Sequence, residues 1–153
     1  MKITDLLPAS LVLPSLEGQT KEAVVQELAD HLAAQRPEIN AARLVEVLWE
    51  RERLGSTAIG DGIAIPHGKL PGLSEVLGAF GRHPKGVDFQ SLDGGPTHLF
   101  FLLVAPEDSV GLHLKALARV SRLLKDRTFR ARLLTAPDQA ELYRIIREED
   151  DRL

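Results

Sequence analysis

Five histidines, twelve glycines and no cysteine set the chemistry open to this chain of 153 residues. Without thiols, disulfide frameworks, cysteine nucleophiles and thiolate metal sites are excluded. Chemistry must then rest on imidazoles, hydroxyls, guanidinium groups and carboxylates. His67 is the first candidate. Ile63-Ala64-Ile65 reads as a short buried strand that would plant the histidine at its end. Pro66 fixes the backbone before it, and Gly68, lacking a Cβ, lets another group approach closely. Strand ends followed by small-residue turns are where open sheets bind ligands. Spacing alone leaves His67 balanced between a plain turn histidine and a site residue. His113 is the second candidate. With Leu117, Val120 and Leu124 it falls on one helical stripe, one turn from the helix start, which by itself favours a hydrogen-bonded core histidine. Gly55-Ser56-Thr57 offers two hydroxyls and a glycine-freed backbone, the donors a phosphoryl group needs. Arg51 and Arg53, just before it, could supply a guanidinium or serve only the helix dipole. His31 and His83 read as solvated, and His98 as structural. His67 with His113 as a metal site lacks an evident third ligand.

The elements that must carry these residues follow from caps and periodicity. One helical turn and an extended stretch fit Lys2 to Ser15. Thr20 caps a helix carrying Ala23, Val24, Leu28 and Leu32, ended by Pro37, and Asn40 caps a second that runs out near Arg53. Ile63-Ala64-Ile65 is a strand that stops at Pro66. Val76 to Arg82 is a glycine-interrupted strand, and Val87-Asp88-Phe89 a short edge strand. Thr97 to Val104 is nearly continuous apolar sequence, which suits a strand covered on both faces. Asp108 or Ser109 caps a long helix through Leu124. Phe129 to Leu134 is helical, and Pro137-Asp138 opens a last helix through Ile146. Helices, then strands, then helices argue for a sheet covered on both faces.

Composition bounds the class. The chain is 44% hydrophobic and 27% charged, which is globular, and its net charge of −3 excludes a wholly basic nucleic-acid binder. Scaling gives about 7,600 Å² of folded surface, so one core suffices without a metal or disulfide. No apolar stretch is long enough to span a bilayer and no signal core opens the chain. The expectation is one cytoplasmic domain over residues 1–153, with a loose tail after Arg147.

The run from Arg51 to Leu70, Arg-Glu-Arg-Leu-Gly-Ser-Thr-Ala-Ile-Gly-Asp-Gly-Ile-Ala-Ile-Pro-His-Gly-Lys-Leu, resembles the phosphorylation-site motif of enzyme IIA of the fructose/mannitol class. These are components of the bacterial phosphoenolpyruvate-dependent phosphotransferase system. The similarity is closest to the nitrogen-regulatory branch, whose histidine lies in a similar Ile-Pro-His-Gly-Lys-Leu run. It extends over nearly the whole chain, including Leu99 to Val104 and Leu112-His113-Leu114. The resemblance implies a single-domain α/β fold: a mixed β-sheet flanked by α-helices on both faces. It implies that His67 accepts a phosphoryl group through Nε2, that His113 contacts it, and that Arg51 lies near the phosphoryl group. Ser56, Thr57 and Gly68 complete the expected phosphoryl-binding set. Asp61 stands where asparagine is common in relatives, and a carboxylate there would repel phosphohistidine unless it points away.

The implied function is a phosphocarrier without metal or cofactor. A phosphorylated histidine carrier protein is the expected donor. The output is regulation of partner proteins or, alternatively, transfer to an enzyme IIB for sugar uptake. Neither nucleic acid nor membrane insertion is expected. A binding module that has lost phosphorylation is the reading from another class, and intact His67, His113 and Arg51 argue against it.

Overall fold

In the computed structural model, which describes residues 1–153, two short 3₁₀ turns lead into strand β1 (Val12–Leu13). Helices α1 (Lys21–Gln35) and α2 (Ala41–Glu52) follow, then strands β2 (Ala58–Gly60), β3 (Ile63–Ala64), β4 (His67–Leu70), β5 (Leu77–Val87) and β6 (Thr97–Pro106). Helices α3 (Val110–Lys125), α4 (Arg127–Thr135) and α5 (Gln139–Arg152) close the chain. The expected caps form where a short polar side chain precedes an apolar-periodic run. Thr20 Oγ1 accepts from the Ala23 amide at 3.1 Å and Asn40 Oδ1 from Arg43 at 3.0 Å. Asp126 and Asp138 do the same for α4 and α5, each at 2.9 Å. Ser109 occupies the cap position of α3, but its side chain makes no capping bond.

The six strands form one mixed sheet organised on β6. One edge of β6 pairs antiparallel with β5, whose far edge takes β1 in parallel. The other edge pairs in parallel with β3 at its start and β4 at its end, and β2 adds antiparallel to β3. Ile63 stands opposite Leu99 and His67 opposite Leu103, so β3 and β4 are one strand in one register, interrupted at Ile65-Pro66. Pro66 has no N–H to add to the ladder, yet its carbonyl still accepts from the Leu103 amide at 3.0 Å. His67 therefore opens a second strand segment, where the sequence suggested a turn after the first.

Alternate residues on β5 and β6 face two helical layers. Leu16 and the α1–α2 layer cover the side of Gly81. On the opposite side Arg82 reaches α4, donating to the Leu133 and Ala136 carbonyls at 2.9 and 2.6 Å. Apolar burial on both faces joins 43 residues in one core, with Leu99 to Ala105 all at 1% exposure or less. Accessible surface is 7526 Å², close to the size-scaling expectation. No helix is long and apolar enough to cross a membrane.

Three expectations are corrected. His83, expected to be solvated, lies inside β5 at 6% exposure, its Nε2 donating to the Gly18 carbonyl at 2.7 Å. The strand continues through Pro84 because the ladder is irregular between Arg82 and Val87, where a missing donor costs no pairing. Asp88-Phe89 lies outside any strand, since β5 ends at Val87. The chain after Arg147 is helical to Arg152 and anchored. Asp150 is fully buried and accepts from Arg119 Nε at 2.9 Å and from the Thr4 amide at 3.2 Å. Replacing Asp150 by Ala leaves the half-buried Arg119 guanidinium and the Thr4 amide without their acceptor, so stability should fall by about 2 kcal/mol in urea unfolding. A loss under about 0.5 kcal/mol, the size of an ordinary surface change, would return this segment to a loose tail.

Candidate functional site

His67 starts β4 with its side chain half-buried on the α3 side of the sheet. Its Nδ1 lies 2.7 Å from the Ile65 carbonyl oxygen. A carbonyl only accepts, so Nδ1 carries the ring hydrogen and Nε2 keeps a free lone pair. The Ile65 peptide is itself held, because its amide donates to the Thr57 carbonyl at 3.1 Å.

His113 meets this ring edge-on. The centroids are 5.4 Å apart and the planes 89° from parallel. The chain that leaves β6 at Pro106 turns directly into α3, which sets His113 beside the β4 histidine paired to the same strand. His113 is 6% exposed, and neither of its ring nitrogens has a hydrogen-bond partner. A buried imidazole with both nitrogens unpaired is uncommon and marks a place where an incoming group can bond.

Both rings favour the neutral form. Burial pushes His67 below its usual 6.5; the Ile65 carbonyl acts the other way, Arg51 adds to the lowering, and Glu52 opposes it. Burial likewise lowers His113, helped by His67 and Lys69. Arg51 lies half-buried in the last turn of α2, its Nη1 donating to the Gly55 carbonyl at 2.8 Å. With Arg43 and Lys69 it lines a cavity of about 520 Å³ that also includes Glu50, Gly68 and Glu107.

The remaining sequence-selected residues are occupied elsewhere. Ser56 Oγ donates to the Phe89 carbonyl at 2.8 Å and accepts from the Ala58 amide at 3.1 Å. Thr57 is 3% exposed, and its hydroxyl donates to the Glu52 carboxylate. The space a Cβ on Gly68 would need is filled by the Cγ1 methyl of Val47 in α2. The Ser56 and Thr57 hydroxyls are thus hydrogen-bonded within the protein, and Gly68 packs directly against α2. Asp61 is exposed in the β2–β3 turn at φ 57°, and its amide bonds to Asp93 Oδ2 at 3.2 Å. Aspartate and asparagine are the non-glycine residues that tolerate this backbone best, which suits the aspartate at this position. Sequence reasoning overlooked Lys21 and Glu52, an ion pair buried beneath the Ser56-Thr57 loop.

The fold and the facing imidazoles define a small α/β protein built around a neutral, tautomer-fixed histidine. Residues 5–149 match the family model for the phosphoenolpyruvate-dependent sugar phosphotransferase system, EIIA 2, and the chain belongs to that family of phosphotransferase intermediates. It is 45% identical over 146 residues to the nitrogen regulatory protein of Bradyrhizobium diazoefficiens, covering 95% of each. It is 39% identical over 150 residues to the fructose-specific EIIABC component of Bacillus subtilis, spanning 98% of this chain and 24% of that protein. The crystal structure of nitrogen regulatory protein IIA-Ntr from Neisseria meningitidis superposes with a TM-score of 0.88 at 33% identity, covering 94% of this chain and 98% of that one. The family named from the Arg51–Leu70 motif is thus the family of the chain.

The depressed midpoints have a definite sign. Above about pH 6.5 both rings are neutral whether folded or unfolded. As pH falls through that value the unfolded chain takes up protons first, so these histidines lower stability toward acid. Long-range ¹H–¹⁵N spectra should give His67 a single Nδ1–H tautomer and a midpoint below 6.5. A midpoint at or above that value, or an Nε2–H ring, would contradict the geometry.

Proposed function

We propose that this protein is a cytoplasmic phosphocarrier in which His67 accepts a phosphoryl group from a phosphorylated histidine carrier protein, and that the state of His67 regulates partner proteins. The observation that carries the reading is the Nδ1–H bond to the Ile65 carbonyl, which leaves Nε2 as the nucleophile. The depressed midpoint keeps that nitrogen unprotonated at neutral pH. In the transfer, the Nε2 lone pair forms a bond to phosphorus. The bond from phosphorus to the donor's histidine breaks, and its electron pair returns to the donor ring. His67 keeps its Nδ1 hydrogen, so the phosphorylated ring carries positive charge, which the Ile65 carbonyl stabilises. His113, with an unpaired ring nitrogen 5.4 Å away by centroid, can donate to a phosphoryl oxygen. Arg51, whose charge already acts on the His67 ring from α2, supplies a guanidinium to the phosphoryl group after releasing the Gly55 carbonyl.

Regulation is the preferred output because a relative 45% identical over 95% of both chains carries the name nitrogen regulatory protein. The surface supports it. Val110, Leu112 and Leu114, on the first turns of α3 that carry His113, are large exposed apolar side chains, and Leu54 is another on the rim of the Arg51 cavity. Phosphorylation adds about −1.5 to −2 charges, which disfavours an apolar contact and favours one offering arginines. The 39% identity to a fructose-specific component keeps transfer to an enzyme IIB as the second reading.

Incubation with phosphoenolpyruvate, enzyme I and the carrier protein should place one acid-labile phosphoryl group on His67 by mass spectrometry. His67→Ala should abolish it, and His113→Ala should slow it about a hundredfold while the fold survives. A label on His113 or a serine, with His67 unmodified, would overturn the assignment. For the output, pull-downs should recover a partner that distinguishes the parent from His67→Ala and His67→Asp. Efficient transfer to a sugar-specific enzyme IIB, with no partner sensitive to His67, would favour the transport reading instead.

A further inference from the structure

Two buried charges stand at helix ends that disfavour them. Lys21 is the first residue of α1, where the dipole opposes a cation, and Glu52 is the last of α2, where it opposes a carboxylate. Their side chains are 5% and 1% exposed and meet at 2.9 Å. Lys21 Nζ also donates to Gln90 Oε1 at 3.0 Å and lies 4.7 Å from the Phe89 ring centroid. A buried pair of this kind is often no more stabilising than apolar side chains of equal volume. Stability therefore does not account for its placement.

What the pair holds is Thr57. Glu52 Oε1 accepts from the Thr57 amide at 3.1 Å, and the other carboxylate oxygen takes the Thr57 hydroxyl. The Thr57 carbonyl in turn receives the Ile65 amide at 3.1 Å, and the Ile65 carbonyl takes His67 Nδ1 at 2.7 Å. We infer that the Lys21–Glu52 pair is a positioning device that fixes the His67 ring, and the tautomer it carries, through Thr57 and Ile65. Beyond the ion pair each step ends on Thr57 or Ile65 by a directional bond, so the placement of Ile65, and of its carbonyl, is set from the start of α1. The Ile65-Pro66 step needs such support because the proline interrupts the strand ladder there. The carboxylate also acts at a distance, since its charge favours positive charge on the His67 ring, the charge that ring acquires on phosphorylation. Lys21 does not touch that ring; its part is to hold the Glu52 carboxylate in place by the 2.9 Å ion pair.

The inference deepens the phosphocarrier reading and rests on it, and the test separates the two. In the double variant Lys21→Met with Glu52→Gln, which removes both charges at near-constant volume, the His67 ring nitrogens should show mixed tautomers. Phosphoryl acceptance should fall at least tenfold while unfolding stays cooperative, the usual effect of losing a group that orients a reactive imidazole. Thr57→Val, which removes only the hydroxyl anchor, should shift the tautomers in the same direction by less, and it decides the question if the double variant fails to fold. A single Nδ1–H tautomer retained in the folded variants, or acceptance at the parent rate, overturns the inference. If the parent itself takes up no phosphoryl group while the tautomers still respond to the variants, the phosphocarrier reading fails and the positioning relay stands.

Discussion

Strand β6 pairs along both edges, and the site exists because of that double pairing. His67 reaches its place by lying opposite Leu103 on one edge. His113 reaches its place because the chain leaving β6 enters α3 at once. Two residues far apart in sequence are thus referred to one rigid element. A strand buried to 1% or less along Leu99 to Ala105 has no freedom to slide, since a shift of one residue would turn every core side chain to the wrong face. Precision at the histidine pair is a by-product of apolar burial.

The same burial sets the chemical character of the rings. Removing an imidazole from water disfavours its cation, and here no carboxylate contacts either ring to restore it. The site instead uses main-chain dipoles: a carbonyl at Nδ1, itself oriented by backbone bonds. Dipoles held before the reaction need no rearrangement during it. Burial has the largest influence on His67 and the Ile65 carbonyl opposes it, while Arg51 and Glu52, adjacent in sequence, add smaller effects of opposite sense.

What could be read from the sequence was whatever depends on neighbours in the chain. The helix caps at Thr20 and Asn40, the apolar run of β6 and the Pro66-His67-Gly68 signature are local, and so were legible. His113 was legible as a stripe position, though its facing His67 needed the topology. The failures are long-range. His83 sits in a strand because β6 continues beside it, and nothing near Pro84 announces that. The segment after Arg147 looks like a polar tail until Arg119, on another helix, and the Thr4 amide supply partners for Asp150. Lys21 and Glu52 left one local trace, a charge at each helix end of the sign the dipole rejects, but that trace gains meaning only when the two are seen to meet.

The contact between Gly68 and Val47 ties the two positions into one unit of sequence change. A valine methyl occupies the volume that any side chain at position 68 would claim, so α2 lies against β4 at a distance only glycine permits. Arg51 follows Val47 by one helical turn, so its position over β4 is set by the same helix-to-strand spacing. An alanine at position 68 would force the helix and the strand apart and carry the guanidinium with them. A smaller residue at position 47 would let them close again, so substitutions harmful singly become tolerable together. Changes at the two positions are therefore coupled in this chain, through the helix-to-strand distance that both set.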